Sequence, residues 1–197
     1  MTKILFLAFL VILAHTQQLK QYLPKSGRLP MTTIFSYRMS LAGDNDFYLN
    51  HYENDRYISV ISSYPVRPNS VTKVTFMLVR GRRILLGCGR GHMSDILNSQ
   101  FAGQLPQTIG YHPNNGAVYN QGVGVRYAST ADQGDNITMT IDLRPFQNKV
   151  SFARNGLDMG VAASGIDNWN TDIYIYLSIV YADDRIRITD YYVEEWF

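Results

Sequence analysis

Histidine, cysteine and serine are the side chains through which this sequence would do chemistry, and their spacing argues against it. The four histidines, His15, His51, His92 and His112, lie far apart, with no H-x-H or H-x-x-x-H pair to grip a metal ion. The single cysteine, Cys88, excludes both a disulfide within the chain and a thiolate zinc cage. It closes the apolar run Ile84-Leu85-Leu86 and reads as a small buried hydrophobe. No G-x-S-x-G elbow presents a nucleophilic serine; Ser164, between Ala163 and Gly165, reads as a turn. Gly87-Cys88-Gly89-Arg90-Gly91 has the glycine content of a phosphate loop. No long helix follows to offer its N-terminal amides, so a flexible strand exit is expected. Asp44-Asn45-Asp46 alternates oxygen ligands as a calcium loop does, but the later ligand positions are missing and a turn is expected. No catalytic residue, metal site or cofactor is expected, and the chain is not read as an enzyme.

Recognition is the chemistry that remains. Tyr, Trp and Arg dominate binding hot spots, and a rigid scaffold displays them on its loops. Three segments have that composition: 51–56, 64–68 and 167–170. They make Tyr52, Arg56, Tyr64, Arg67 and Trp169 the expected partner-binding residues. Asn136-Ile137-Thr138 is an N-glycosylation sequon, and Asn136 is its acceptor candidate if the chain is secreted.

The elements that must hold those loops are strands. Val74 to Val79 is β-branched and aromatic, and Ile84 to Cys88 follows after Gly81. Arg80, Arg82 and Arg83 surround that glycine, so a solvated hairpin tip is expected there. Ile137, Met139 and Ile141 alternate with Thr138, Thr140 and Asp142, the period of a strand with one buried face. Ile173, Ile175 and Leu177 repeat the pattern, as do Ile186 and Ile188. Only Ser94 to Phe101 could form a turn or two of helix. Many short strands in a domain-sized chain indicate an all-β antiparallel sandwich.

The chain has 197 residues, 46% hydrophobic and 17% charged, enough for one domain with a sizeable core. Its net charge of +2 gives no footprint for nucleic acid. The unbroken apolar run Ile4 to Ala14 follows Lys3 and precedes polar residues, as in a secretory signal peptide, and is too short for stable membrane insertion. The expected organisation is a signal peptide over 1–16, a linker over 17–33 that lies along the domain, and a sandwich over 34–197. Secretion is the expected localisation, with a cytoplasmic adaptor as the alternative.

A more specific pattern fills the second half. Gly134-Asp135 opens a strand ending Ile141-Asp142-Leu143; Val150-Ser151-Phe152-Ala153-Arg154-Asn155-Gly156 then leads to Gly160-Val161-Ala162. This resembles the core of SPRY domains, in which a Gly-Asp pair begins one strand and a Phe-x-x-Asn-Gly hairpin leads into a strand ending Gly-Val-Ala. Ile109-Gly110-Tyr111 with Gly116 and Val118-Tyr119-Asn120 is similar to the segment before that pair, and Tyr176-Leu177-Ser178 and Arg185 to Ile188 to the closing strands. The resemblance implies a bent antiparallel two-sheet β-sandwich, a concanavalin-like jelly roll. It also implies a non-catalytic module that binds a protein or peptide through rim loops. The concanavalin-like fold leaves a glycan-binding lectin as the alternative.

Overall fold

The computed structural model describes residues 21–32, 39–42, 46–49, 57–91, 101–166, 171–181 and 184–196. The strands are β1 (Met31–Thr32), β2 (Met39–Ala42), β3 (Asp46–Leu49), β4 (Ile58–Ser62), β5 (Ser70–Arg80), β6 (Ile84–Arg90) and β7 (Thr108–His112). The second half adds β8 (Ala117–Asn120), β9 (Val123–Arg126), β10 (Asn136–Asp142), β11 (Lys149–Arg154), β12 (Leu157–Ser164), β13 (Ile173–Ile179) and β14 (Arg185–Glu195). They form two antiparallel seven-stranded sheets, one ordered β1-β4-β13-β6-β7-β8-β9 and the other β12-β11-β10-β5-β14-β3-β2. No helix among the described residues is long and apolar enough to cross a membrane.

The period-two pattern places the core between the sheets. Val74, Phe76 and Leu78 of β5, Ile137, Met139 and Ile141 of β10, and Val150 and Phe152 of β11 are all buried. They face Leu86 and Cys88 of β6, Tyr111 of β7, and Ile175 and Leu177 of β13. Burying each such aliphatic or aromatic side chain contributes about 1.5–3 kcal/mol. The β10–β11 hairpin side is closed at Asn155-Gly156, where β11 turns into β12 with φ of +50° and +81°, the backbone a type I′ turn requires. Gln121-Gly122 makes the same kind of turn between β8 and β9, with φ of +51° and +80°.

Two expectations need correction. Arg80 to Arg83 is not a hairpin tip, because β5 and β6 belong to different sheets and the segment crosses between them. Gly87 and Gly89 are not a flexible exit either; both lie inside β6, paired with β7 and β13. A Cβ on Gly87 would sit 2.1 Å from the Ile109 carbonyl oxygen and 2.7 Å from the Ala102 methyl, so close packing explains that glycine.

The segment read as a linker lies along the sandwich from Gln21 to Thr32. Leu23 and Leu29 are buried in the main core, Tyr191 donates its hydroxyl to the Pro24 carbonyl at 2.5 Å, and Met31–Thr32 pairs with β4. Residues 94–100 of the helical expectation lie outside the described residues.

Candidate binding surface

β4 runs from Ile58 to Ser62, so Tyr57 and Tyr64 stand at opposite ends of one strand. At the Tyr64 end, the Val66 N–H donates to the Ile173 carbonyl at 2.7 Å, and Leu23 N–H to that of Pro65 at 2.9 Å. Tyr64 is about one-third exposed. Arg67 donates from Nε to the Leu23 carbonyl at 2.7 Å and from Nη1 to Glu195 at 3.0 Å. It thus joins the N-terminal segment to the end of β14. Tyr52, Arg56 and Trp169 lie outside the described residues. Asn136 opens β10 half-buried, its N–H donating to the Asn155 side-chain oxygen at 2.8 Å.

The Tyr57 end holds a different arrangement. Asp184 is buried and accepts the N–H groups of Arg82 at 2.7 Å, Tyr181 at 3.2 Å and Arg83 at 3.3 Å. One carboxylate therefore ties the β5–β6 crossover to the turn before β14. Burial pushes its pKa up, against the pull of those N–H groups. On the backbone so fixed, the Arg83 guanidinium lies 5.9 Å from the centre of the Tyr181 ring. Tyr57 packs its ring 4.5 Å from that of Phe101, and Phe101 meets Tyr119 edge-on at 5.6 Å. Burial pushes the Tyr57 hydroxyl up to about 12, and the Arg83 charge opposes the shift.

The turn after β7 completes this rim. Asn114 donates its side-chain amide to the Gly81 carbonyl at 3.1 Å. Its Oδ1, and Nδ1 of the buried His112, are enclosed atoms with no hydrogen-bond partner among the described residues. Burial first, and Arg83 second, pull the imidazole down to about 4, so it is neutral at pH 7. The Arg83 guanidinium and the Tyr57 and Tyr181 hydroxyls are the groups of this rim that can donate hydrogen bonds to a polar chain. The sequence reading missed Tyr57, Arg83, His112, Asn114 and Tyr181. Its only local signal was the arginine cluster around Gly81, whose crossover role no local pattern marks.

The chain is similar to a crystal structure of a human SPRY domain, with a TM-score of 0.61 and 19% identity over 77% of this chain and 94% of that one. The fold is SPRY-like. The SPRY domain of human HERC1 is similar at a TM-score of 0.61 and 15% identity, covering 84% of this chain and 97% of that domain. The Drosophila melanogaster neuralized NHR1 domain gives 0.50 and 14%, covering 83% and 99%. No protein-family profile and no curated protein matches the sequence.

In this SPRY-like sandwich the motif residues hold one another. Asp135 accepts the Asn155 side-chain amide at 2.6 Å and the Asp132 N–H at 2.8 Å. Phe152 packs 5.0 Å from the Tyr111 ring and 6.2 Å from that of Tyr127. Tyr127 donates its hydroxyl to the Gly160 carbonyl, beside the two register shifts of β12 on β11. The pattern visible in sequence is therefore scaffold.

Proposed function

We propose that the chain is a non-catalytic module that binds a protein or peptide partner through the rim of Tyr57, Arg83, His112, Asn114 and Tyr181. The observation that carries this reading is the Arg83 guanidinium 5.9 Å from the centre of the Tyr181 ring, at the end of the sheet where Tyr57, Phe101 and Tyr119 pack together. The SPRY-like fold supports the same class of function. Arginine and tyrosine are the residue types that dominate such contacts.

The test is a peptide-display selection against the purified protein, with enriched peptides measured by calorimetry. Arg83→Ala and Tyr181→Ala should weaken binding about tenfold or more, the scale of hot-spot residues. Tyr64→Ala and Arg67→Ala, at the other end of β4, should change it little. The reverse ranking would move the site to the Tyr64 end. Binding that answers to calcium or simple sugars, and not to peptides, would make the lectin alternative the better one.

Secretion is part of the same reading, supported by the apolar run Ile4 to Ala14. Protein from a secretory host should start near Gln17 and lose mass on enzymatic deglycosylation in wild type but not in Asn136→Gln. An intact Met1 on cytosolic protein would favour the adaptor alternative.

A further inference from the structure

Among the described residues β9 ends its sheet, and its own residues are all exposed. Val123 and Val125 are 65% and 63% exposed although they continue an inner row. That row runs Val60, Leu177, Leu86, Tyr111, Val118 and Val125 across successive strands, and all but the last are buried. The core is thus left open at its β9 end.

The backbone parity of this edge is fixed. Asn120 and Val123 flank the two-residue turn, and Tyr127 N–H donates to the Gly116 carbonyl at 2.9 Å. Val123, Val125 and Tyr127 therefore direct their amides inward, and Gly124 and Arg126 direct theirs out of the sheet. On the outer face the Tyr119 ring lies over Gly124, where a Cβ would come within 2.7 Å of it. The neighbouring edge, β12, is guarded by two register shifts, whereas the pairing of β9 with β8 is regular.

We propose that β9 pairs with β9 of a second copy of this chain, antiparallel about a two-fold axis through Val125. In that register Gly124 and Arg126 of one copy exchange N–H···O bonds with Arg126 and Gly124 of the other, while the two Val125 side chains meet in a non-hydrogen-bonded pair. The edge is complementary to itself, as a two-fold interface requires. Arg126 of the second copy comes beside Gly124, where the missing side chain exposes the Tyr119 ring to its guanidinium, a charge-to-ring match that favours a second copy over an arbitrary strand. The apolar overhang of Val123 and Val125 is covered by its own symmetry mate.

Sedimentation equilibrium over a concentration series tests this, with Val125→Cys cross-linking beside it. Wild type should rise toward twice the chain mass, and Val125→Lys, at an exposed position, should stay monomeric with an unchanged melting temperature. Two cysteines at position 125 would have Cα atoms about 4.5 Å apart, inside the ~4.4–6.8 Å a disulfide spans. Oxidised Val125→Cys should therefore become a covalent dimer while Leu157→Cys, on the 76%-exposed Leu157 of β12, does not. Native Cys88 is buried and does not compete. A dimer that survives Val125→Lys, or equal cross-linking of both cysteine variants, overturns the proposal. So does a chain that stays monomeric throughout, which would leave the edge to strand addition by a different protein.

Discussion

Gly87 and Gly110 face each other across β6 and β7, and Ala102 from the segment over the sheet occupies the space two side chains would take. The pair lies in a row of partners running Ile61, Tyr176, Gly87, Gly110, Tyr119 and Gly124. Tyr176 and Ala102 are buried together with Ile61 on that outer face. The glycines open a trough between two tyrosines, and the 101–107 segment lies in it. Phe101, at the head of that segment, then reaches Tyr57 and Tyr119. A backbone without side chains thus positions one wall of the candidate rim.

Gly110→Ala should be among the costliest alanine substitutions in the chain. Its Cβ would stand 1.9 Å from the Ala102 carbonyl oxygen, so the overlying segment must shift. The expected loss is about 1–3 kcal/mol from overpacking, read by urea denaturation, with Tyr57 and Phe101 losing contact. Gly134→Ala is the comparison, since nothing lies within 4 Å of that Cβ and only the φ of +93° opposes it. Its cost should be the smaller of the two.

What was legible in the sequence was local. Alternation along Ile137 to Ile141 needs only the two-residue period, and Asn155-Gly156 needs only its own turn. The glycines of β6 and β7 looked loose because their reason, Ala102, is distant in sequence. Leu23 and Leu29 sat among Pro24, Gly27 and Pro30, which signal irregular backbone correctly but say nothing about burial. Arg83 and Tyr181 are separated by about half the chain and meet because β6 pairs with β13 and Asp184 holds both backbones. Of the expected binding residues, Tyr64 and Arg67 are described, and both lie at the end of β4 away from Tyr57.

Asp184→Ala should loosen that gathering point. It removes the acceptor for three N–H groups, and a buried donor left unsatisfied costs about 1–3 kcal/mol. A stability loss of about 2–3 kcal/mol is expected on that basis, partly shared with water. Asp184→Asn, which keeps one acceptor oxygen, should lose less. Hydrogen exchange should quicken at Arg82, Arg83 and Tyr181 before it does in β10, and peptide binding should fall with it.

Arg67→Ala should act on the N-terminal segment. The side chain carries a bond to the Leu23 carbonyl and an ion pair with Glu195, which Lys25 also engages. The side chain is 30% exposed, so screening reduces the ion pair. The expected loss is about 1–2 kcal/mol, mainly from the hydrogen bond. Exchange at Leu23 to Thr32 should rise while that of β10 and β11 stays the same. Unchanged protection of Leu23 would show that the two leucines alone hold the segment.

Acid should loosen the pairing of β3 with β14, in which Asp46 stands opposite Arg187. Asp46 is buried and is held by Arg187 through two hydrogen bonds, of 2.5 and 2.8 Å, and by Arg185 at 2.6 Å. The Arg187 bonds, against the opposing effect of burial and with help from Arg185, lower its pKa from an ordinary 3.8 to about 2. A carboxylate whose folded pKa lies below its unfolded one binds fewer protons when folded. Its contribution is therefore fully present above about pH 4 and is lost as pH falls through about 2. The stability difference between wild type and Asp46→Asn should be constant from pH 5 to 7 and shrink across that lower window. Added salt should shrink it too, since both arginine side chains are more than 40% exposed. A difference that stays flat down to pH 2 would mean that the arginines hold β3 by packing and not by charge.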